Sequence, residues 1–516
     1  MNWAPAHSPM LSTPRRATIA LLLATVLTRL PALVHPKAID DAQVYSVVAI
    51  EMLHGGRPYI DAIERKPPLL FALYEAILSV GGAYNPHPLQ LTALLWTLAT
   101  MAVVGLIARR LFDPATGLTA ALLYGLFLAW GDYRNLALNG ELLMNLPVAL
   151  ALAITFGPSK SRIRPELLLA GALVASAFLL KQPSGIAALP LGLYLLHPAY
   201  RNARRLDWGN AIVQGALLTL GFVAVFALTG FSLWKAGNLR EAIYWTVLSQ
   251  EAAFGAGSWI YWDRALSNSA LFLACTLPLV GTAILSVREA GRKGGIWQDH
   301  RAEIAALLIL LGVSVVGVGA NGQFLYHYYL QLILPLALLA APIVRAILVG
   351  QRSFAMPLLR PAILSGWLAL SAVGFLVADT IGLSRNRARS SSALYVRAHS
   401  RDDDRLFVWG QGTRMTGMYL DAERRPATRY IASFPLTGHI FGSPVSWDPN
   451  FDTSDRIVPG SWEHLRQDFE RHPPRYIIDT DAVRARPIYV MSKYPFLGDY
   501  VSQNFREVFR AADGVV

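Results

Sequence analysis

The chain has 516 residues, 54% hydrophobic and only 16% charged, against about 25% charged in an ordinary soluble protein. A mean hydropathy of +0.38 argues against a soluble enzyme and for a polytopic membrane protein. The net charge of +12 does not read as nucleic-acid binding, because the surplus lies in short loops between apolar runs, as positive-inside loops require.

In chain order, Arg15-Arg16 precedes an apolar run from Ala17 that Arg29 interrupts. No small-residue cleavage site follows, so the run reads as an uncleaved first span rather than a signal peptide. A span needs about 20 mostly apolar residues. Eleven segments are candidates, several of them short: 17–34, 88–108, 115–131, 141–157, 166–181, 183–197, 211–231, 267–286, 303–320, 329–348 and 362–383. The single cysteine, Cys275, lies in one of these runs and excludes an intrachain disulfide.

Alternate loops differ in charge. One set carries Arg15/Arg16, Arg109/Arg110, Lys160/Arg162/Arg164, Arg201/Arg204/Arg205, Arg288/Arg292/Lys293/Arg301 and Arg345/Arg352/Arg360. The other set has roughly half as many cations and most of the acids and aromatics. The first set is expected in the cytoplasm, with the N-terminus. The loops at 35–87, 132–140, 232–266 and 321–328 are then expected outside. Beyond residue 383 the composition turns polar. "RLFVWG" and "RYIIDT" read as short buried strands and "SWEHLRQDFERH" as an amphipathic helix between them. Residues 1–383 therefore read as the membrane domain and 384–516 as a small outer α/β domain.

The loop 35–87 is too long for a mere connector. Ala42 to Leu53 has an amphipathic pattern that predicts a helix lying on the membrane. Asp40 and Asp41 precede it, where a carboxylate suits a helix N-terminus, so a plain N-cap is one reading of either. Pro67 and Pro68 suit the first turn of a second surface helix.

"DDAQVYSVVAIEMLHGGRPYIDAIERKPPLLFALY" resembles the first outer loop of the GT-C glycosyltransferases related to the ArnT and protein O-mannosyltransferase groups. The shared pattern is Asp40, Asp41, Ala42 and Tyr45, then Gly56, Tyr59 and Asp61, then Lys66-Pro67-Pro68. "NGELLMNLP" (139–147), "LLKQP" (179–183) and "NGQFLYHYYLQLILPLALLAAP" (321–342) are similar to further family segments, and "DDDRLFVWGQ", "RRPATRYIASFPLTG" and "PPRYIIDT" to the outer domain of many bacterial members. The resemblance implies a polytopic helical GT-C fold in a bacterial inner membrane, with a periplasmic C-terminal domain. It further implies an inverting transfer of a sugar from a polyprenyl-phosphate donor to a lipid, glycan or protein acceptor.

Such a transfer needs a general base for the acceptor hydroxyl and fixed cations for the leaving phosphate. The resemblance makes Asp40 the base. Asp41 stands where the family usually has Glu, so the roles within the pair stay open. Lys66 is a candidate for carrier phosphate, with headgroup snorkelling as the alternative. Asp61 orients acceptor, serves a metal, or only pairs with Arg65 or Lys66. Tyr45, Tyr59 and Gln323 complete the substrate-binding candidates. Glu141 opens the fourth span at a depth where acids are costly unless paired or functional; an N-cap or a sugar-binding role accounts for it. Lys181, in the turn between spans five and six, binds carrier phosphate or snorkels. Arg264, His327 and Tyr328 are further phosphate-side candidates, an interfacial aromatic belt being the alternative for the last two. No ligand spacing decides for or against a divalent metal ion. A flippase for lipid-linked saccharides is the competing class. It predicts midplane charges and repeat symmetry, neither of which the sequence displays.

Overall fold

The computed structural model describes residues 25–516, apart from 38, 158–163, 198–207, 250–260, 291, 293–294, 296, 351–359, 387, 411–412, 440–447, 449 and 486. Residues 17–24 of the first span and much of the Trp-rich outer loop lie outside the described residues. The chain divides into two compact units. Met1–Pro36, Gln90–Thr229 and Trp262–Asn386 form the first; Lys37–Leu89, Gly230–Tyr261 and Arg387–Val516 form the second. The long first loop thus belongs to the same unit as the C-terminal segment.

The first unit is helical. Among the described residues six helices are long and apolar enough to cross a membrane: His87–Leu111, Trp208–Lys235, Trp262–Ala290, Arg301–Gly319, Tyr326–Leu348 (counting its opening 3-10 turn) and Pro361–Arg385. The other expected spans fall on shorter helices: Thr25–Val34, Pro114–Phe127, Gly140–Thr155 and Glu166–Leu180, then Ala188–Leu196 after a 3-10 turn over Gln182–Ala187. The helix Leu330–Leu348 is central, buried along nearly its whole length and packed by helices from both sides of it in sequence. Trp208–Lys235 and Pro361–Arg385 instead turn large apolar side chains outward, Ile212 and Leu370 among them, as lipid-facing helices do. Where Glu166–Leu180 meets Trp208–Lys235 the backbones touch: a Cβ on Gly171 would lie 1.8 Å from the Leu218 carbonyl oxygen, and one on Gly221 1.9 Å from that of Leu168. Only glycine permits this approach, the small-residue packing typical of membrane helices. Arg29, which breaks the first apolar run, is buried and donates from Nη1 to the Leu136 carbonyl at 3.0 Å.

The second unit pairs the first loop with an α/β fold. Among the described residues five strands, β1 (Arg405–Trp409), β2 (Arg425–Pro426), β3 (Pro474–Asp479), β4 (Arg510–Ala511) and β5 (Gly514–Val515), are ordered β2-β1-β3-β5-β4. β1 runs parallel to β2 and β3, and β5 antiparallel to β3 and β4. Strands β1 and β3 occupy the two segments read as strands, and the helix Ser461–Arg471 the segment between them. The loop itself holds helices Asp41–Leu53 and Pro68–Gly81. Pro67 caps the second in an extended conformation and Pro68 opens its first turn, where a missing N–H costs nothing.

The helix Asp41–Leu53 corrects the sequence reading. It is not amphipathic: Ala42 and every residue from Tyr45 to Glu51 is buried. It packs against Pro68–Gly81 and against the helix Thr413–Ala422. Enclosure within its own unit accounts for the continuous apolar run Val47–Ile50, which a surface helix would interrupt with polar residues.

Candidate functional site

Each unit carries its own cluster of the residues singled out from sequence. In the second unit, the loop turns into its first helix at Asp40. Its φ is +51°, in the left-handed region, and its side chain makes no capping hydrogen bond. An ordinary N-cap adopts an extended backbone and bonds the first-turn amides, so simple capping does not explain Asp40. Asp41 is held differently: the Tyr45 hydroxyl donates to its Oδ2 at 2.9 Å. Tyr45 is fully buried, edge-on to Phe71 and Tyr74, so the hydroxyl is a fixed point. The Lys66 Nζ lies 6.0 Å from the centre of the same Tyr45 ring. One aromatic side chain therefore places a carboxylate at its hydroxyl and an ammonium near its face.

Lys66 is further located by Glu64, whose carboxylate is 3.6 Å from Nζ, and by Tyr59, whose hydroxyl donates to the Lys66 carbonyl at 2.8 Å. Burial, then the Glu64 charge, hold the Tyr59 phenol well above its ordinary range, so it stays a neutral donor. Tyr59 also takes a left-handed φ of +71°, a strained conformation retained where the surroundings over-determine it. Asp61 does not pair with Arg65 or Lys66. Its Oδ2 accepts the Arg57 backbone N–H at 2.8 Å and lies 3.5 Å from Arg57 Nε. Arg65 instead stacks on the Phe434 ring at 4.5 Å.

In the first unit, Glu141 and Lys181 form a buried ion pair at 2.7 Å, their side chains 2% and 8% exposed. Asn139, not Glu141, caps the helix Gly140–Thr155, accepting from the Leu142 N–H at 2.9 Å. The N-cap alternative for Glu141 is thereby removed. Snorkelling is removed for Lys181, since its ammonium points to a buried acid and lies 5.0 Å from the Tyr328 ring centre. Gly140 makes the pair possible: a Cβ there would come within 2.8 Å of Lys181 Cδ and 3.2 Å of the Leu180 carbonyl oxygen. Glu141, Lys181, Asn321, Tyr328 and Gln331 line a cavity of about 50 Å³. Asn321 donates to the Tyr328 hydroxyl at 2.8 Å, and its own Oδ1 accepts the Gln323 N–H at 3.1 Å. His327 is buried, edge-on to Tyr328 at 4.8 Å, so neither residue is a surface belt aromatic. Arg264 lies in the first turn of Trp262–Ala290, outside the residues lining that cavity.

Sequence reasoning passed over a second set of charges. Glu51 is buried and bound bidentately by Arg425, at 2.8 and 2.6 Å, with Arg405 at 3.4 Å. Arg429 grips Asp468 in the same way, 2.7 Å at its shortest, and its carbonyl accepts the Ile63 N–H at 2.9 Å. The three arginines within "RRPATRY" are the available sequence signal for this cluster. Among the described residues no three His, Cys, Asp or Glu side chains converge as metal ligands.

Residues 65–228 match the family model described as dolichyl-phosphate-mannose-protein mannosyltransferase. No curated protein matches the chain. Among solved structures, the chain is similar to ArnT from Cupriavidus metallidurans in the apo state, with a TM-score of 0.59, 13% identity and 98% of each chain covered. The same protein bound to undecaprenyl phosphate gives 0.57 and 13%, covering 96% of this chain and 97% of that one. The apo Archaeoglobus fulgidus oligosaccharyltransferase gives 0.54 and 13%, covering 91% of this chain and 70% of that one. Likeness at this identity establishes the fold.

Proposed function

We propose that this chain, a multi-pass membrane protein of the GT-C fold, transfers a sugar from a polyprenyl-phosphate donor to an acceptor hydroxyl, with inversion. The observation that carries the reading is Tyr45, fixed in the core of its unit, with the Asp41 carboxylate at its hydroxyl and the Lys66 ammonium near its ring. An acid beside Asp40 and a cation, both placed by one rigid side chain, suit a displacement that orients an acceptor hydroxyl and releases a phosphate. The family match and the undecaprenyl phosphate named in the ArnT structure support a lipid-phosphate donor.

In this mechanism the acceptor oxygen attacks the anomeric carbon from the face opposite the phosphate. Asp40 takes the acceptor proton as the bond forms. The bond between the anomeric carbon and the phosphate oxygen breaks, and its electron pair leaves with the polyprenyl phosphate. Lys66 meets the charge that develops there. Asp41, tied to Tyr45, orients the acceptor. The resemblance supports carrier-phosphate roles for Lys181, Arg264, His327 and Tyr328 and substrate-binding roles for Glu141 and Gln323. The chemistry is assigned to the periplasmic face of a bacterial inner membrane, with residues 384–516 periplasmic, the N-terminus cytoplasmic, and a lipid, glycan or protein as acceptor.

The test uses membranes containing wild type, Asp40→Asn, Asp41→Asn or Lys66→Ala, offered a panel of polyprenyl-phosphate sugars. Removing the base should lower turnover by about 10²–10⁴-fold. Wild-type transfer rates in both aspartate variants would sink the assignment, and movement of intact lipid-linked sugar without cleavage would favour a flippase.

A further inference from the structure

We infer that the arginine-rich cleft between the end of the helix Asp41–Leu53 and the strands β1 and β2 is a binding site for a phosphorylated saccharide. The cleft encloses about 310 Å³, within the range of small-ligand pockets, about 300–1,000 Å³. It is far more polar than an ordinary pocket of that size, with no Phe, Tyr or Trp in its lining. Four of its lining side chains are guanidinium groups, Arg405, Arg425, Arg429 and Arg471, against the carboxylates of Glu51, Asp61 and Asp468. Asp61 is already engaged by Arg57, which leaves the cations in excess.

The arginines are held by one edge only. Arg425 commits Nε and Nη2 to Glu51. Arg429 commits the same two atoms to Asp468. Arg405 commits Nη1 to Glu51 and to the Pro426 carbonyl. A guanidinium carries five N–H donors in a rigid fork. The donors on Arg425 Nη1, Arg429 Nη1 and Arg405 Nε and Nη2 therefore have no partner among the described residues. Arg471, exposed at the helix end, has none at all among them. Forks fixed by a carboxylate behind them are pre-organised to take an oxyanion bidentately in front. His472 reports the same field: burial, then Arg405 and Arg425, push its imidazole below the ordinary range.

An oxyanion alone does not fill this volume. The imidazoles of His54 and His472, which also line the cleft, supply donors and acceptors for sugar hydroxyls. Asp41 and Glu51 stand near the two ends of one helix, about 15 Å apart at 1.5 Å per residue. A saccharide of a few units spans that distance, so the cleft is placed to hold the phosphorylated end of an acceptor. That placement rests on the transferase reading above; the binding itself does not.

The experiment measures equilibrium binding of radiolabelled glucose 6-phosphate to the full-length protein in phosphatidylcholine nanodiscs, with glucose and inorganic phosphate as competitors. Glucose 6-phosphate should bind, weaken with salt, and resist competition by glucose. Arg471→Glu should weaken it about tenfold or more with at most a small change in thermal unfolding, since Arg471 makes no hydrogen bond or ion pair among the described residues. Arg429→Lys keeps the charge but removes the fork and should also weaken binding. Displacement by phosphatidylinositol phosphate added to the nanodiscs would assign a lipid-borne ligand, and no displacement a soluble one. Equal competition by glucose, or wild-type binding by Arg471→Glu, overturns the inference. Transfer assayed in parallel separates the two readings: a protein that binds glucose 6-phosphate but transfers no sugar leaves the cleft standing and removes the transferase.

Discussion

Tyr45 combines a buried ring with a hydroxyl bonded to Asp41, so its structural part and its proposed part in transfer can be removed separately. Tyr45→Phe keeps the buried ring and deletes the bond to Asp41. Turnover should fall about tenfold for a stability change of roughly 1 kcal/mol, read as kcat against thermal unfolding in detergent. Tyr45→Ala also empties the core between Phe71 and Tyr74 and should cost about 3–5 kcal/mol. An equal loss of turnover and stability in Tyr45→Phe would show that the hydroxyl is structural only. The Glu141–Lys181 pair separates differently. Glu141→Gln strands a buried ammonium and should destabilise by about 3 kcal/mol, whereas Glu141→Gln with Lys181→Met should recover much of it. The residues in these arguments were legible because Asp40, Tyr45, Lys66 and Glu141 stand in short motifs. Their partners were not. Asp61 takes Arg57, four positions before it, rather than Arg65, four positions after it, and Glu51 is bound by an arginine 374 positions away; no local spacing encodes such a choice.

At the scale of elements, the apolar runs fall on helix over the described residues of each expected span but did not settle length. Nothing in the composition of 141–157 shows that its helix starts under an Asn139 cap and runs only to Thr155. The same rule failed at Asp41–Leu53, where burial by neighbouring helices, not by lipid, sets the pattern. The element that closes on this helix is β2, through Glu51. Glu51→Ala leaves Arg405 and Arg425, about four-fifths buried, without their shared acceptor. A loss of roughly 2–3 kcal/mol follows, to be checked by chemical unfolding of the full-length protein and by faster proteolysis at the loop. The α/β fold also carries an acid-sensitive group. His439 is 3% exposed, and burial, with Arg484 adding to it, pushes its imidazole from 6.5 down to about 4. The unfolded chain gains a proton as pH falls through the ordinary histidine range while the folded chain stays neutral. The stabilisation is thus complete above pH 6.5 and lost as pH falls towards 4, reaching about 3 kcal/mol. His439→Gln should flatten the fall in Tm between neutral pH and pH about 5; an unchanged slope would assign the acid sensitivity to other groups.

For the whole molecule, the pairing of the first loop with the C-terminal segment constrains topology more firmly than charge counting does. Lys37–Leu89, Gly230–Tyr261 and Arg387–Val516 belong to one compact unit, tied by Glu51 to Arg425 and by Ile63 to Arg429. A folded unit cannot be shared across a bilayer, so the chain must cross an even number of times between each of these segments and the next. The sequence reading meets that requirement independently: six of its spans lie between residues 88 and 231 and four between 267 and 383. Short helices such as Glu166–Leu180 and Ala188–Leu196 therefore count as crossings, or drop out, only in pairs. Cysteine labelling in intact cells tests this directly once Cys275, the sole native cysteine, is changed to serine. New cysteines at Arg57 and Arg401, both exposed in the second unit, should react together with an impermeant maleimide. One at Arg109, a single span further along than the loop, should react only after the membrane is opened. Labelling of Arg57→Cys and Arg401→Cys from opposite sides would break the unit apart. With it would go the arginine cleft, which needs residues from both segments, whereas the acid and cation at Tyr45 come from the first loop alone and would survive.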